Sequence, residues 1–408
     1  MRVLRLFALA LGLGCGTAWA DSQSFDMIER GRQLAIIGDC TGCHTAAGGA
    51  PFAGGVPIET PFGNVVAPNI TPDTLTGIGG WTGAEYLRAM QHGIGRSGEH
   101  LYPAFPYPYY ARVSQADLLT IRAYLATLDP VRNAVVRNQL AFPFDIRLSM
   151  SAWNLLFFDP TPIVPVSGKS AEWQVGQYLV EGLGHCGACH TAKNFAGADR
   201  ASLALQGGAL QDWFAPALTG DLRTGLGSWS VDEVVEYLQT GRNAREAATG
   251  PMAEVVTNST SRMTASDLRA MAVYLKDLPG RGGAPASVAA GSAAMQAGAG
   301  LYGDLCAACH TGAGGGIARL FPALRGSAVV QSDDPASLLR VILTGARAVA
   351  TEAAPTGPAM PGFGWKLTDE QVANLTTYIR NAWGNAASAV SAAEVRGMRG
   401  RLAARAGN

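Results

Sequence analysis

Three copies of one short motif are the residues of this chain best suited to chemistry. Each copy is Cys-x-x-Cys-His, at residues 40–44, 186–190 and 306–310. Two thiols at this spacing can add to the vinyl groups of a porphyrin, and the adjacent imidazole can bind its iron from one face. The sequence therefore predicts three covalently attached c-type haems. The attachment residues are Cys40, Cys43, Cys186, Cys189, Cys306 and Cys309, and the predicted iron ligands are His44, His190 and His310.

Structural zinc and thiol redox chemistry are the other common uses of paired cysteines. A zinc site needs two ligand pairs close together, and a redox dithiol does not require a following histidine. All three pairs here are followed by His and then by Thr, at Thr45, Thr191 and Thr311. The repeated extension favours haem.

The second axial ligand of each iron has to come from elsewhere in the chain. Haems that transfer electrons usually carry a methionine sulfur opposite the histidine. Met252 and Met360 lie on proline-containing loops, 62 residues after His190 and 50 residues after His310, and are the predicted ligands. The corresponding position of the first unit is Phe105, which cannot bind iron. That iron either lacks a strong sixth ligand or takes one from this set: Met150, Met90, His92 and His100.

A metal-bound histidine also needs an acceptor for its other ring nitrogen. A short proline-containing segment follows each motif and contains Pro68, Pro216 or Pro322. We expect the carbonyl oxygens of these three prolines to accept hydrogen bonds from the motif histidines.

The elements that must position these residues recur along the chain. Apolar periodicity predicts a helix before each motif and a closing amphipathic helix at residues 114–128, 264–278 and 368–383. Between them, glycine-rich turns lead into helices through capping boxes, Thr82 with Glu85 and Ser230 with Glu233. The third copy is more divergent and has Asp334 as the predicted cap, with Pro335 at the first helical position.

Composition and leader sequence restrict the location and the partners. The 408 residues carry no net charge and 15% charged residues, which gives no reason to expect a nucleic acid partner. Residues 1–20 are typical of a secretory signal, with two arginines, an apolar run at 6–13 and a small-x-small site before Asp21. We therefore predict export to the periplasm. The seventh cysteine, Cys15, lies in this leader.

Repeat spacing and composition predict the domain organisation. Units at 21–131, 169–280 and 291–385 are separated by an aromatic connector at 132–168 and a flexible joint at 281–290. The connector is too aromatic for a free linker, and we expect it to pack on the units or on a partner. The basic tail at 386–408 is either a plain surface tail or a short amphipathic helix that touches a membrane or a partner.

Over nearly all its mature length, the chain resembles the triple-haem cytochrome c subunits of periplasmic bacterial dehydrogenases. The resemblance is carried by Ala67-Pro-Asn-Ile-Thr-Pro-Asp with Thr76-Gly-Ile-Gly-Gly-Trp, Tyr102-Pro-Ala-x-Pro-Tyr, Gly182-Leu-Gly-His-Cys-Gly-Ala-Cys-His-Thr, Gly250-Pro-Met, and Met360-Pro-Gly-Phe-Gly-Trp-Lys-Leu-Thr-Asp. It implies an all-α fold of three tandem class I cytochrome c-like domains with irregular loops. In that fold the first and last helices of a domain pack closely. Gly298 and Tyr302, eight and four residues before Cys306, are at the contact, and the other two units depart from this spacing by a residue or two.

The resemblance implies an electron-transfer subunit with no catalytic residue of its own. Electrons would come from a separate dehydrogenase subunit, a molybdoprotein, flavoprotein or quinoprotein that oxidises an alcohol, aldehyde, sugar or N-heterocycle. They would pass from haem to haem to ubiquinone or a terminal oxidase, with peripheral contact to the cytoplasmic membrane. Phe105 is where alcohol dehydrogenase subunits carry methionine. In this position the chain is more similar to relatives that accompany molybdenum hydroxylases.

Two other functions are compatible with the sequence. An open site at the haem beside Phe105 would make the chain a haem enzyme of the peroxidase or thiosulfate dehydrogenase type. A chain without a catalytic partner would be a freely diffusing multihaem carrier.

Overall fold

The structure is mostly helical, with a few short strands. It is a computed structural model and describes residues 24–283, 285 and 287–406. The predicted leader, with Cys15, lies outside these residues, as do positions 284 and 286 of the predicted joint. Within the described ranges, no helix combines the length and apolar character needed to cross a bilayer.

The first segment, residues 25–157, places its helices around a small antiparallel sheet in which β2 lies between β1 and β3. The helices are α1 (Phe25–Ile37), α2 (Cys40–His44), α3 (Gly83–His92), α4 (Tyr107–Tyr110), α5 (Gln115–Leu125) and α6 (Ser149–Phe157), and the strands are β1 (Pro57–Thr60), β2 (Gly63–Val66) and β3 (Gln139–Leu140). Strand β3 and helix α6 belong to the predicted connector, so part of the connector completes the sheet of the first segment.

The middle segment, residues 171–277, repeats this order of helices around one hairpin. Its elements are α7 (Ala171–Tyr178), a π-helical turn (Leu179–Leu183), α8 (Gly187–His190), a 3-10 turn (Ala201–Leu203), β4 (Gly208–Leu210), β5 (Trp213–Ala215), α9 (Val231–Thr240), α10 (Pro251–Asn258), a second 3-10 turn (Thr260–Arg262) and α11 (Ala265–Asp277).

The last segment, residues 293–406, has the same kind of plan and one additional helix at its end. Its elements are α12 (Ala293–Leu305), α13 (Ala307–His310), α14 (Ala328–Gln331), α15 (Ala336–Thr344), β6 (Ala346–Arg347), β7 (Ala359–Met360), α16 (Asp369–Asn381) and α17 (Ala392–Ala406).

The predicted capping boxes at Thr82 and Ser230 are both present, and they begin α3 and α9. In the third copy, helix α15 begins one residue later than predicted. Pro335 is the N-cap of α15 rather than its first residue, while the Asp334 carboxylate accepts a hydrogen bond from the Ala336 amide at 2.8 Å. A proline fits either position because it lacks the amide hydrogen that a helix start leaves unpaired.

In each segment the helix before the motif packs against the closing helix: α1 on α5, α7 on α11 and α12 on α16. A glycine allows each close approach. A Cβ added at Gly31, Gly176 or Gly298 would lie 2.8, 2.8 or 2.5 Å from the Cβ of the tyrosine on the opposite helix. Those tyrosines are Tyr124, Tyr274 and Tyr378. The contact predicted for Gly298 is therefore confirmed, and the other segments make it with Gly31 and Gly176.

The first two segments reach the same contact with different spacing. Gly31 is nine residues before Cys40 and Gly176 is ten before Cys186, compared with eight in the last segment. The extra residues are accommodated by a left-handed Asp39 (φ 47°) in the first segment. In the middle segment they are accommodated by the π-helical turn and a left-handed His185 (φ 39°). Both backbone conformations take up the extra residues before the motif, so the contact between the two helices stays in place.

The aromatic connector packs on the first two segments. The Tyr107 hydroxyl donates to the Asn154 side chain at 2.5 Å, and the Trp153 indole donates to the Ala196 carbonyl at 3.0 Å. Part of its apolar surface remains outside, since Phe142 and Leu155 are 80% and 86% exposed. The described residues of the predicted joint are also tied to the segments, with the Gly282 amide 2.9 Å from the Asp221 carboxylate.

The tail differs from both alternatives that the sequence suggested. Residues 392–406 form helix α17, and Val395 and Met398 are buried in the core of the last segment. Arg399 donates to the Asp369 carboxylate at 2.8 Å and to the Leu367 carbonyl. The apolar face that suggested a membrane or partner contact is therefore covered by the same chain, because α15 and α16 leave an apolar surface that α17 fills.

Substituting Gly298→Ala tests the helix contact. The added methyl group meets Tyr378 across the interface, so we expect the free energy of unfolding to fall by about 2 kcal/mol. Gly300→Ala is the matched control on the same helix, because a Cβ there meets nothing within 4 Å. It should be neutral or stabilising by about 0.5 kcal/mol. Urea unfolding followed by circular dichroism measures both, and equal effects would contradict the proposed contact.

Candidate haem attachment sites

Each motif occupies one turn of helix at the same place in its segment. Helix α2 contains the whole first motif, and α8 and α13 begin directly after Cys186 and Cys306. Two cysteines three residues apart on a helical turn lie on one face. The histidine is the last helical residue in all three cases. Both thiols and the imidazole can therefore address one ligand.

The motif histidines are oriented by proline carbonyls, as predicted. The Nδ1 atoms of His44, His190 and His310 lie 2.7, 2.7 and 2.9 Å from carbonyl oxygens. The acceptors are Pro68, Pro216 and Pro322. Because a carbonyl only accepts, each Nδ1 carries the hydrogen and each Nε2 keeps a lone pair for a metal. Burial lowers the pKa of all three histidines, which favours the neutral form that binds iron.

The threonine after each histidine binds the loop that places the proline carbonyl beside that histidine. Thr45, Thr191 and Thr311 each accept, through Oγ1, a backbone amide hydrogen from that loop, at 3.0, 3.0 and 3.1 Å. The sequence showed that a threonine recurs but did not indicate its role. Close packing of the returning loop also needs glycine. Gly54 and Gly316 have positive φ, and a Cβ at either would approach the following proline segment within 2.7 Å.

These glycines were missed by sequence reasoning. Gly54 lies ten residues after His44, whereas Gly316 lies six after His310. Their backbone amides donate to the carbonyl oxygens of the motif histidines, at 2.8 Å for Gly54 and 3.0 Å for Gly316. The signal that could have found them is a glycine between motif and proline, but the unequal spacing conceals it.

Four of the six motif thiols are held in the protonated form. Burial raises the pKa of Cys40 and Cys186 to about 12, and that of Cys43 and Cys306 to about 11. A zinc ligand or a redox dithiol acts as the thiolate, which these surroundings disfavour. Addition to a vinyl group uses the S–H group itself. The donor set therefore fits a covalently attached porphyrin better than the two alternatives.

The predicted methionine ligands lie on short regular elements rather than on irregular loops. Met252 is in the first turn of α10, directly after Pro251, and Met360 ends β7 opposite Ala346. Both side chains are half-buried: Met252 packs on the core that the first and middle segments share, and Met360 packs on the core of the last segment. Helix α10 also contacts α2. The helix of Met252 therefore lies beside the first motif as well as in the middle segment.

Phe105 of the first segment lies in an aromatic cluster. Its ring centroid is 5.6 Å from that of Tyr110 and 6.3 Å from that of Tyr107. Met150 packs against the same group of residues around Tyr107, and Met90 is buried on α3 in the main core. Both methionines remain candidates for the first iron.

The two candidate histidines of the first site are less suited to iron. The Nε2 of His100 is 2.7 Å from the Ser151 hydroxyl of α6, so only its Nδ1, the nitrogen more crowded by the side chain's own Cβ, is left for a metal. His92 is exposed at the end of α3. Neither arrangement favours ligation.

Comparison with known proteins agrees with this geometry. The model of the Cytochrome c family matches residues 28–129 and 295–383, which include the first and last motifs. The cytochrome c subunit of a quinone-type alcohol dehydrogenase from Gluconacetobacter polyoxogenes is 39% identical over 96% of this chain and 88% of its own length. The chain belongs to the family of cytochrome c subunits of dehydrogenases.

Two other relatives extend the range of this family. The cytochrome c subunit of gluconate 2-dehydrogenase from Pantoea cypripedii is 38% identical over 97% of the chain and 94% of its own length. A nicotinate dehydrogenase subunit from Pseudomonas putida is 42% identical over 92% of the chain, but the match covers only 32% of that longer protein. The cytochrome part is thus shared by dehydrogenases with different names.

A polar cavity of about 340 Å³ lies between the middle and last segments of this cytochrome c subunit, beside the loop that follows the third motif. Its lining includes Trp229, Arg245, Glu246, Gly315, Arg325 and Ser327. The Glu246 carboxyl group accepts a hydrogen bond from the Ser327 hydroxyl at 2.5 Å. Burial raises the pKa of Glu246 to about 7. This carboxyl group therefore titrates near neutral pH at the junction of the two segments.

Glu246 predicts a pH-dependent stability. Its pKa is about 7 in the folded state and about 4.5 when solvated, so between these values the folded state holds a proton that the unfolded state releases. The contribution of Glu246 to the free energy of unfolding is therefore greatest below pH 4.5 and is lost as the pH rises through 7. Compared with wild type, Glu246→Gln should be more stable at pH 8 by up to about 2 kcal/mol and unchanged at pH 4.

Urea unfolding at the two pH values measures this difference. Glu352→Gln, on an exposed side chain, is the control and should show no change with pH. An equal effect of Glu246→Gln at both pH values would contradict the role of the buried carboxyl group.

Proposed function

We propose that this chain is an electron-transfer subunit that carries three covalently attached c-type haems. The six motif cysteines would form the thioether bonds, and His44, His190 and His310 would bind the irons. The observation that carries the proposal is the shared arrangement of these histidines, each with Nδ1 on a proline carbonyl at 2.7 to 2.9 Å and Nε2 left for a metal. Structural uses of histidine give no reason for the same arrangement in three places.

The predicted units at residues 21–131, 169–280 and 291–385, on which the three segments are built, would be three tandem class I cytochrome c-like domains. The repeated helix contact at Gly31, Gly176 and Gly298 supports this division. The match of the Cytochrome c family model to the first and last segments also supports it. The middle segment shares the motif turn, the proline carbonyl and the closing helix.

Met252 and Met360 would be the sixth ligands of the second and third haems. Each is half-buried in the segment of its own motif, and each is flanked by a proline that stiffens the backbone next to the sulfur. A thioether ligand favours the ferrous state and raises the potential, which suits an acceptor of electrons from a dehydrogenase.

The electron donor would be the catalytic subunit of a periplasmic dehydrogenase. The relatives are named for alcohol, gluconate and nicotinate dehydrogenases, and nicotinate is an N-heterocycle. The donor cofactor would be a quinone, a flavin or a molybdenum cofactor, and the acceptor would be ubiquinone or a terminal oxidase. The predicted leader at 1–20 supports a periplasmic location, where c-type haem is attached after export.

Removing one pair of cysteines tests the haem count. We expect Cys306→Ala with Cys309→Ala to lower the haem content per polypeptide from three to two, because each motif holds its own porphyrin. The pyridine haemochrome absorbance of the denatured protein, divided by protein concentration, measures this ratio. The control is Met271→Leu, a buried side chain of α11 outside the motifs, which should keep three. A wild-type value below three would contradict the proposal.

A second function, an open-site haem enzyme of the peroxidase or thiosulfate dehydrogenase type, rests on Phe105. If the first iron has no sixth ligand, carbon monoxide should bind to about one third of the reduced haem, and Phe105→Met should abolish that binding by supplying a sulfur. Absorbance difference spectra measure both. A wild-type protein that binds no carbon monoxide would exclude the open site and support pure electron transfer.

A further inference from the structure

The first and second motifs approach each other at one point of the structure. Helix α1 contacts the π-helical turn of the middle segment, and a Cβ at Gly38 would be only 3.1 Å from the Leu183 side chain. The residues just before the two motifs thus form a shared, packed junction.

Two aromatic side chains span this junction. The rings of Tyr110 and His185 lie edge to face, with centroids 5.9 Å apart. On the first side, the Tyr110 hydroxyl donates to the Gly38 carbonyl at 3.4 Å, two residues before Cys40. On the other side, His185 is the residue directly before Cys186. The two rings therefore connect the backbone just before the first motif to the backbone just before the second motif.

Tyr110 also connects the junction to Phe105 of the first segment. Its ring is buried and lies 5.6 Å from that of Phe105, the residue at the position that corresponds to the predicted methionine ligands of the other two segments. Burial raises the pKa of Tyr110 well above its ordinary value, and burial lowers the pKa of His185. Both rings are therefore uncharged near neutral pH.

The backbone of His185 is held in a conformation that a bulky residue rarely adopts. Its φ is 39°, and its Nδ1–H donates to the Leu183 carbonyl at 2.9 Å, which fixes the ring orientation. The corresponding residue of the first segment, Asp39, is also left-handed but uses its side chain to cap α2 through the Gly42 amide. His185 caps nothing and instead places its ring on Tyr110.

We propose that Tyr110 and His185 form the electron-transfer bridge between the first and second haem sites. The inference rests on the proposed function. Electronic coupling between buried cofactors falls steeply across gaps, and two rings in contact fill the path with packed atoms. One electron passes, so the iron that gives it changes from ferrous to ferric and the iron that receives it changes from ferric to ferrous. No bond is made or broken, and no proton is transferred.

Among the residues that the structure describes, no aromatic pair of this kind joins the third site to the middle segment. The residue before Cys306 is Leu305, the last residue of helix α12. The proline loop of the third motif meets the middle segment through a backbone hydrogen bond, from the Ala323 amide to the Arg245 carbonyl at 2.9 Å. The bridge is therefore specific to the first two sites.

The test uses the full-length, haem-loaded protein with His185→Gly. Glycine accepts the positive φ without strain, so the variant removes the ring while the backbone is retained. Partly reduced protein receives a short electron pulse, and the absorbance records how fast electrons redistribute between haems. We expect the phase assigned to the first and second haems to slow by roughly tenfold, because the vacated space is filled only in part. Tyr110→Leu should have a similar effect, and Tyr110→Phe, which keeps the ring, should stay near the wild-type rate.

Two controls separate coupling from other causes. Spectroelectrochemical titration should give unchanged midpoint potentials, which shows that the driving force is the same. Trp173→Leu removes a buried aromatic ring at the contact of α7 with α11, away from the junction, and should leave the rate unchanged.

The outcomes distinguish the bridge from the proposed function. If His185→Gly and Tyr110→Leu carry three haems with wild-type potentials and redistribute electrons at the wild-type rate, the bridge is wrong and the relay stands. If wild-type protein has fewer than three haems or shows no redistribution at all, the electron-transfer function is wrong and the bridge fails with it.

Discussion

The structure depends on one repeated interaction, the hydrogen bond from a motif histidine to a proline carbonyl. A neutral imidazole has one donor and one acceptor nitrogen, so fixing the donor fixes where the lone pair lies. Burial alone would leave the Nδ1–H group unpaired, at a cost of about 1 to 3 kcal/mol. The proline carbonyl removes this cost and orients the ring. Every motif therefore requires a loop that returns to its own histidine.

That requirement explains much of the irregular structure after each motif. The threonine next to the histidine accepts an amide hydrogen from the returning loop, and a glycine lets the two backbones approach. The helix before the motif must also stay against the closing helix, which Gly31, Gly176 and Gly298 permit. Helix spacing and loop closure together determine where the two thiols and the imidazole stand relative to each other.

The segments differ in how they join. The first and middle segments share one continuous apolar core, which brings their motifs close together. The last segment has its own core and meets the middle segment through a small apolar cluster, in which Val349 packs with Val256, and through polar contacts. These include the ion pair of Arg319 with Glu236 and the hydrogen bond of Ser327 to Glu246. A large shared apolar core resists separation, whereas a smaller junction with a carboxyl group that titrates near neutral pH responds to its surroundings.

Much of the site could be predicted from the sequence because it depends on local spacing. Cysteines three residues apart with a following histidine define one helical turn, and Pro68, Pro216 and Pro322 could be named as acceptors because an oriented histidine needs a partner within a short loop. The resemblance to cytochrome c subunits, rather than spacing alone, placed a helix contact at Gly298, and the structure shows that contact. Helical periodicity also identified residues 395–402 as amphipathic, but periodicity does not say which surface an apolar face meets.

The sequence by itself therefore determined the three motif turns, their proline acceptors and the closing helices, since each is decided by residues near one another in the chain. Only the tertiary structure decided that α17 covers the core of its own segment, that a π-helical turn and a left-handed residue absorb the extra spacing before Cys186, and that Tyr110 meets His185. The contacts of α17 and of Tyr110 join residues far apart in sequence, and the local conformation before Cys186 is set by the distant helix α11 on which α7 packs, so all three depend on the shape and burial that the folded chain creates.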